Sequence, residues 1–329
     1  MKIFVFEYVT GGGYAGQALP EFLADGELMW RALVDDLIAV PGVEVLTLRD
    51  ARLATPQQPG LHCVSATADI LAQAYRRCVL AADAVWLIAP ETGGILENLN
   101  RDVLAADKTL LGCRPEAVQI AASKSATAAC LDAAGIATVT TAISLDQLAG
   151  RSDRRVVVKP DDGVGCQDSL LFADTAAARA WQRQNGAVDC VFQPYLAGDA
   201  LSLSLLCCAG RAQLLSVNRQ HVSLEPGPHG ERFQFHGVSV NALPDPDERY
   251  AALAAQVVRA IPGLWGYVGV DLIAAADGLH VLEVNPRVTA SYAGLHAALN
   301  CNPAQRVLTL PEMRPCRGVR AVTVETGHA

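Results

Sequence analysis

The sequence predicts an α/β protein in which a parallel, helix-flanked first domain is followed by an α+β region. Short apolar stretches alternate with longer helical stretches over the first third of the chain. This alternation is typical of a parallel sheet with helices on both faces. From about residue 191 onward the apolar stretches are predominantly strand-like, and two carboxylates follow such stretches near the C-terminus. The second region is therefore where we expect a functional site.

The predicted elements follow one another with no internal repeat and no long linker. Apolar runs predict the strands, and longer Leu- and Ala-rich stretches predict the helices. Strands are predicted at 3–9, 43–48, 84–89, 109–112, 136–141, 156–159, 191–195, 202–208 and 213–219. Helices are predicted at 19–40, 69–82, 96–106, 123–135, 175–185 and 249–261. These elements indicate an N-terminal Rossmann-like domain (1–112), a central subdomain (113–190) and a C-terminal subdomain (191–329).

The composition argues against several classes of protein. The 329 residues are 51% hydrophobic and 18% charged, which is typical of a globular enzyme and unlike a disordered chain. A net charge of −8 argues against nucleic-acid binding. No apolar run reaches the ~20 residues of a membrane span. The first residues predict a strand rather than a signal peptide, and the ten cysteines lack zinc-binding spacing, so we expect a cytoplasmic protein with free thiols.

Two carboxylates near the C-terminus predict a metal site. Asp271 and Glu283 each follow a short apolar run, and a turn at 276–278 joins the two predicted strands. On such a hairpin the two side chains can face each other, and Asn285 shares the side of Glu283 because side chains alternate along a strand. Two carboxylates and an amide oxygen suit Mg²⁺, which takes its other ligands from water and substrate phosphates. Arg287 adds a fixed cation, and the group indicates a metal–nucleotide site.

Two lysines and a glycine-containing loop predict where phosphates bind. Lys159 ends a strand and precedes a loop that contains Gly163 and Gly165. Glycines allow backbone N–H groups to approach phosphate oxygens closely, and the lysine adds positive charge. Lys124 opens an earlier helix. Taken alone, each lysine is explained as an exposed side chain, on a turn for Lys159 and on a helix for Lys124; taken together, their spacing is informative.

The segment around Gln193 predicts an adenine-binding strand. A buried edge strand there could present backbone groups and the Gln193 amide to an adenine ring, with Asp199 reaching a ribose hydroxyl. The alternative is an ordinary strand followed by an Ala-Gly-Asp turn.

Read together, these segments resemble the ATP-grasp superfamily between residues 123 and 295, in the order typical of that superfamily. The resemblance implies two subdomains that clamp ATP, preceded by an α/β domain. It implies that the glycine loop (161–168) closes over phosphates held by Lys124 and Lys159, and that Arg287 steadies an acyl phosphate. The implied ATP-binding residues are Lys124, Lys159, Gly163, Gly165, Gln193, Tyr195, Leu196 and Asp199. The implied ligands of two Mg²⁺ ions, for which Mn²⁺ can substitute, are Asp271, Glu283 and Asn285.

Three positions depart from the superfamily pattern. Gln193 stands where the hinge usually has Glu, although its carbonyl can still accept from the adenine amino group. Ala200 stands where a hinge acid is expected. Gly269 stands where many members have an arginine, two residues before the metal-binding aspartate. We therefore expect Arg219 or Arg232 to contact the γ-phosphate.

Several loops give a narrower resemblance. Residues 6–13, 89–96, 111–113 and 216–220 look like the tyramine–glutamate ligases of methanofuran biosynthesis, whose bacterial relatives in one-carbon metabolism make methylofuran. This resemblance implies that ATP phosphorylates a glutamate carboxylate and that the amino group of tyrosine or tyramine then displaces phosphate. We expect small-molecule substrates without nucleic-acid or membrane partners. Another amino-acid pair, the glutamate carboxyl used and homodimer formation stay open.

A glycine-rich segment at 11–16 formally matches a dinucleotide fingerprint. Pro20 delays the following helix, and no acidic residue ends a second strand at the required distance, so a nicotinamide oxidoreductase is the weaker interpretation. A substrate-binding loop containing Gly12 and Gly13 is preferred, and a plain turn is the alternative. A non-catalytic ATP-binding module is a further alternative, which the complete set of metal-type residues disfavours.

Overall fold

The computed structural model describes residues 1–148, 155–163, 165–166, 168–185, 189–310 and 320–327. These residues form a five-stranded parallel sheet and a nine-stranded antiparallel sheet. The predicted fold class is therefore confirmed. Among the described residues, no helix has the length and apolar character needed to cross a membrane.

The first sheet has the strand order β3-β2-β1-β4-β5. Its strands are β1 (Lys2–Glu7), β2 (Glu44–Asp50), β3 (Leu61–Ala66), β4 (Ala84–Ile88) and β5 (Thr109–Leu110), and its helices are α1 (Leu23–Ile38), α2 (Leu71–Ala81) and α3 (Ile95–Ala105). The central strand β1 is buried on both faces, which explains its uninterrupted apolar run. The strand order reverses between β1 and β4, and in open α/β sheets ligands bind at the carboxyl edge of this switch point.

The second sheet begins after helices α4 (Pro115–Ala122) and α5 (Lys124–Ala133). Its order is β13-β12-β9-β10-β11-β7-β6-β8, with β14 paired to β11. The strands are β6 (Val156–Pro160), β7 (Leu170–Phe172), β8 (Cys190–Pro194), β9 (Asp199–Cys208), β10 (Arg211–Gly227), β11 (Gly230–Leu243), β12 (Gly266–Ala275), β13 (Gly278–Asn285) and β14 (Val322–Glu325). The remaining helices are α6 (Thr175–Asn185), α7 (Arg249–Ala260), α8 (Tyr292–Leu299) and α9 (Pro303–Leu308).

A buried carboxylate ties the first domain to the C-terminal helices. Asp36 of α1 accepts hydrogen bonds from Tyr292 Oη at 2.9 Å and from His296 Nδ1. The Asp36 backbone carbonyl accepts from Asn302 Nδ2 at 2.7 Å. Because α8 and α9 follow β12 and β13 in the chain, these contacts help to hold the first sheet beside those two strands.

The predicted strand at 136–141 is wrong. The segment makes one isolated bridge from Thr138 to Val281 of β13, and the next residue beyond it, Ala142, bridges to Phe192 of β8. Because it passes from one edge of the second sheet to the other, it pairs with two different strands and forms no ladder with either. The sequence prediction also omitted β3, α4, β7, β11, α8, α9 and β14. The predicted boundary at 112 falls between β5 and α4, and the boundary at 190 falls at the start of β8; the division into three domains stays a prediction.

Candidate active site

The metal hairpin (β12 and β13) has the predicted arrangement of its carboxylates. Asp271 lies directly opposite Glu283. A register shift between Asp271 and Leu272 brings about this pairing, since Leu272 is opposite Val281 and Leu282 is the extra residue. Without this bulge Asp271 would face Leu282, and Glu283 would point to the other side of the sheet. Asn285 Nδ2 donates to Asp271 Oδ2 at 3.3 Å, so the third predicted metal ligand lies in the same group.

The electrostatics of this hairpin fit a cation. Burial raises the pKa of Asp271 to about 8, and the adjacent Glu283 carboxylate adds to the increase. Burial also opposes ionisation of Glu283, but the charges of Lys124, Lys159 and Arg287 and the hydrogen bond with Asp271 together hold the pKa of Glu283 below its usual range. The described residues contain no cluster of three His, Cys, Asp or Glu side chains, so the donors here are two carboxylates and one amide. Such a hard oxygen set, with room for phosphate and water, suits Mg²⁺.

Both predicted phosphate-binding lysines lie in the same compartment as these carboxylates. Lys124 Nζ lies 3.9 Å from Glu283 Oε2 and donates to the Gly163 carbonyl at 2.6 Å. Lys159 is buried on β6, and this burial lowers its pKa to about 8. A small cavity of about 60 Å³ is lined by both lysines, both carboxylates and Gly163. The residues predicted to bind phosphate and metal therefore share one compartment.

The beginning of the glycine loop is held by helix α5. Asp161 Oδ1 accepts from the Ser125 backbone N–H at 2.8 Å, and Asp161 Oδ2 accepts from Ser123 Oγ at 2.6 Å. Gly165 has φ of +63°, a left-handed conformation that glycine adopts without strain. Gly165 lines the larger cavity described below. Val164 and Gln167, also in the predicted loop, lie outside the described residues.

The hinge residues follow one another along β8 and the start of β9. Gln193 is buried, and its Nε2 donates to Thr141 Oγ1 at 2.8 Å, which fixes the orientation of its amide. The Tyr195 ring is covered by the Arg155 guanidinium at 4.0 Å, and Leu196 follows it, half-buried. Asp199 Oδ2 lies 3.0 Å from Arg219 Nη1. The adenine and ribose roles of these residues stay predictions.

The two arginines predicted to replace the missing one are not among the residues that line the cavities beside the hairpin. Arg219 forms the ion pair with Asp199, and Arg232 lies 3.3 Å from Glu225 on the β10–β11 hairpin. Their contact with the γ-phosphate stays a prediction.

Gly269 lies close to two neighbouring side chains. A Cβ atom there would lie 3.0 Å from Thr289 Cγ2 and 3.4 Å from Asn285 Cβ. Thr289 belongs to a hydroxyl cluster in which Tyr267 Oη lies 3.0 Å from Thr289 Oγ1 and 2.9 Å from Ser291 Oγ. A side chain at 269 would therefore require Thr289 to shift by a few tenths of an ångström.

A larger cavity of about 190 Å³ lies between the metal hairpin and the carboxyl edge of the first sheet. The hairpin side contributes Asp271, Glu283, Asn285, Arg287 and Thr289. The opposite side contributes Glu7 at the end of β1, Asp25 and Gly26 of α1, and the apolar residues Val9, Phe22, Met29 and Ile88. Phe235 of β11 also lines it.

The sequence prediction missed Glu7, Asp25 and Glu91. Glu7 lines the cavity and accepts from the backbone N–H groups of Val9 and Thr10 at 3.2 and 2.7 Å. Glu91 lies 3.0 Å from Arg287 Nε, so the predicted phosphate-binding arginine has a buried counter-ion from the first domain. Glu7 ends β1 and Glu91 follows β4. Their positions could have identified them from the sequence, because ligands bind at this edge of a parallel sheet.

The glycines at 11–13 have a structural role. They form a π-helical turn, Val9–Gly13, that packs against aromatic rings. A Cβ at Gly11 would lie 2.5 Å from Phe6 Cε2, and one at Gly13 would clash with the Tyr8 ring. Gly12 and Gly13 are not among the residues that line the larger cavity, whereas the neighbouring Val9 is. Their role in substrate binding stays a prediction.

Comparison with known proteins decides the family. Residues 121–291 match the ATP-grasp domain, and residues 43–118 match the pre ATP-grasp 3 domain. The chain belongs to the ATP-grasp family. The matched range includes both lysines, the hinge and the whole metal hairpin. The assignment of the compartment described above as the ATP site stays a prediction.

Two archaeal relatives extend the likeness over most of the chain. The tyramine–L-glutamate ligase of Methanocaldococcus jannaschii is 26% identical over 296 residues, covering 89% of this chain and 84% of that protein. The enzyme of the same name from Methanocaldococcus fervens is also 26% identical, with 89% of each chain covered. This ATP-grasp protein is a ligase that forms C–N bonds and converts ATP to ADP.

Solved structures share the fold. A candidate ATP-grasp superfamily protein from Archaeoglobus fulgidus superposes with a TM-score of 0.74 at 20% identity, covering 99% of this chain and 92% of that one. The L-amino acid ligase of Bacillus licheniformis gives 0.66 at 17% identity, covering 93% and 73%.

Proposed function

We propose that this ATP-grasp ligase joins glutamate to the amino group of tyramine or tyrosine through an acyl phosphate, using ATP and Mg²⁺. The proposal rests on one observation: the larger cavity runs continuously from the metal hairpin to the first sheet. The names of the two Methanocaldococcus relatives support the same pair of substrates. A role in methylofuran or methanofuran biosynthesis belongs to this proposal.

The hairpin end of the cavity suits the carboxylate that is activated. Asp271, Glu283 and Asn285 would hold Mg²⁺, which when bound neutralises charge on the transferring phosphoryl group. Lys124 and Lys159 hold the phosphates from the other side, since both line the small cavity with these carboxylates. Arg287 lines the larger cavity and supplies a cation next to the acyl phosphate.

The opposite end suits the aromatic amine. Phe22 and Met29 offer apolar surface for an aryl ring, and Glu7 offers a carboxylate for the ammonium group. Burial raises the pKa of Glu7, while hydrogen bonds from Thr10 and Val9 oppose that increase. Among the described residues that line this cavity, Arg287 is the only cationic side chain, and it is paired with Glu91. An amine without a carboxylate therefore fits this charge distribution better, and we expect tyramine to be used more efficiently than tyrosine.

The ligase reaction needs no nucleophilic side chain. The carboxylate oxygen of glutamate attacks the γ-phosphate, ADP leaves, and the amine nitrogen then attacks the acyl carbon and expels phosphate. The protein has to bind and orient the substrates. It also has to exclude water, because an acyl phosphate hydrolyses. The substrate assignment is tested by comparing the rates of amide formation from glutamate with tyramine, tyrosine or phenethylamine. A preference for a non-aromatic amine would contradict it.

Replacing Gly26 with alanine should impair the use of the amine. A Cβ at Gly26 would lie 2.8 Å from Glu7 Oε2, so the Glu7 carboxylate would have to move. We expect kcat/KM for the amine to fall about 10–100-fold, since displacements of about 1 Å have such effects. The KM for ATP should change little, and alanine should favour helix α1 by about 1 kcal/mol.

The measurement is a set of initial rates at varied amine and fixed ATP, with thermal unfolding in parallel. Gly112→Ala is the matched control, because its Cβ would meet Leu110 Cδ1 at an ordinary 3.8 Å. Equal amine kinetics in the two variants would remove Glu7 from the amine site.

A further inference from the structure

A short turn after β4 touches both the cation and the loop of the ATP-grasp site. We call residues 91–93 the bridging turn. Its first residue, Glu91, contacts Arg287, and its next two contact Asp162 at the start of the glycine loop. The residues just before it, Ala89 and Pro90, line the larger cavity. One segment of the first domain therefore adjoins three parts of the site.

The contact with Arg287 is buried and directional. Arg287 Nε lies 3.0 Å from Glu91 Oε1 and 3.1 Å from Oε2, and the two side chains are only 12% and 5% exposed. Arg287 Nη1 donates to the Val288 carbonyl at 3.2 Å. A guanidinium carries five N–H donors in a rigid fork. The observed contacts use Nε and Nη1, so they orient the fork while Nη2 takes no part in them.

The contact with the glycine loop fixes Asp162. Thr92 Oγ1 donates to the Asp162 carbonyl at 2.8 Å, and the Gly93 backbone N–H donates to Asp162 Oδ2 at 2.9 Å. The preceding Asp161 is held by Ser123 and Ser125 of α5. The start of the loop is thus fastened to α5 on one side and to the bridging turn on the other.

We propose that Glu91 is a positioning residue for Arg287, and that the bridging turn keeps Arg287 and Asp162, at the start of the glycine loop, aligned around one acyl phosphate. This inference deepens the proposed function and rests on it for the acyl-phosphate chemistry. Glu91 compensates the charge of a largely buried arginine without occupying the whole guanidinium, and Thr92 and Gly93 hold Asp162. Misalignment would slow amide formation and let water reach the intermediate.

The test compares Glu91→Gln, Thr92→Val and the double variant. Glu91→Gln keeps the side-chain shape and removes the charge, whereas Thr92→Val removes the hydroxyl that binds Asp162. We expect Glu91→Gln to lower the kcat of amide formation about 10–100-fold, with little change in the KM for ATP. Both variants should raise the fraction of ADP formed without amide. Glu97→Gln is the matched control, because Glu97 is paired with Arg101 at 2.8 Å on the surface of α3.

Two readouts are needed. Parallel assays of ADP and amide give the ratio of the products, and hydrogen–deuterium exchange with ADP–Mg²⁺ reports the backbone around Asp162 and Val288 without any turnover. Faster exchange at Asp162 in Thr92→Val, and at Val288 in Glu91→Gln, supports the inference even if the substrate pair differs. Rescue of the product ratio by Glu91→Asp would support a role in charge and orientation.

The inference is overturned if Glu91→Gln matches Glu97→Gln in kcat, product ratio and exchange. A wild-type enzyme that forms no amide from glutamate and an aromatic amine would instead refute the proposed substrates. In that case unchanged exchange in both variants would overturn the inference as well.

Discussion

Replacing Lys159 with alanine is expected to lower the rate of ADP formation about 10²–10³-fold, the usual effect of removing one group that stabilises charge in a transition state. Lys159 is buried beside Glu283 in the small cavity, where low solvent exposure strengthens its interaction with a phosphate. Burial lowers the pKa of Lys159 to about 8 while the nearby Glu283 opposes this shift. Incoming phosphate favours the protonated form further, so the lysine acts as a cation.

The control for Lys159→Ala is the same substitution at a lysine far from the site. Lys2 lies at the opposite end of β1 from Glu7, and the site adjoins only the Glu7 end. We expect Lys2→Ala to keep wild-type rates. The measurement is glutamate- and amine-dependent release of ADP under saturating ATP–Mg²⁺, with circular dichroism to check the fold. Undiminished release in Lys159→Ala would contradict the assignment of this lysine.

Replacing Glu283 with glutamine is expected to lower turnover at least about 100-fold and to raise the Mg²⁺ concentration needed for activity. The substitution keeps the shape of the side chain and removes one of the two candidate metal-binding carboxylates of the hairpin. Repulsion from Asp271 is relieved, but Lys124 and Lys159 lose a counter-charge. Since these effects oppose each other, we expect a small change in the free energy of unfolding of the metal-free protein.

Asp277→Asn is the control on the same hairpin. Asp277 lies in the exposed turn and pairs with His280 at 3.0 Å. The substitution therefore also removes one carboxylate from the hairpin, but at a position outside the site. ADP–Mg²⁺ should raise the melting temperature of the wild type and of Asp277→Asn, and much less that of Glu283→Gln. Chelation of divalent cations should stop wild-type turnover. Mg²⁺-dependent stabilisation that survives in Glu283→Gln would contradict the metal role.

The order of the site residues along the chain was predictable because each follows a local pattern. Lys159 and Asp271 come directly after or within apolar runs, and the turn at 276–278 marks a hairpin. The pairing of Asp271 with Glu283 was also predicted, yet it depends on a bulge at Leu282. An unbulged hairpin with the same turn would have placed the two carboxylates on opposite faces. The correct expectation therefore came from chemistry rather than from local register.

The missed residues depend on contacts between distant parts of the chain. Glu91 lies close to Arg287 only because the first sheet packs beside the metal hairpin, and Glu7 faces the same cavity for the same reason. The segment at 136–141 has strand-like composition but crosses between two sheet edges. The glycines at 11–13 look like a phosphate loop, although the close approach of the Phe6 and Tyr8 rings accounts for Gly11 and Gly13. Local composition does not distinguish these cases.

Gly269 departs from the superfamily pattern at a crowded position, where a Cβ atom would lie 3.0 Å from Thr289 Cγ2. Because Arg287 is paired with Glu91, the positive charge available to the proposed acyl phosphate depends on the geometry of that pair as well as on Lys124 and Lys159.

Product analysis tests whether the protein joins glutamate to an aromatic amine with ATP. The protein is incubated with ATP–Mg²⁺, glutamate and tyramine or tyrosine; released phosphate is quantified and the product is identified by mass spectrometry. We expect one phosphate per amide, and a product whose mass is that of the two substrates less one water. Phosphate release with other amino-acid pairs and none with glutamate would refute this substrate assignment.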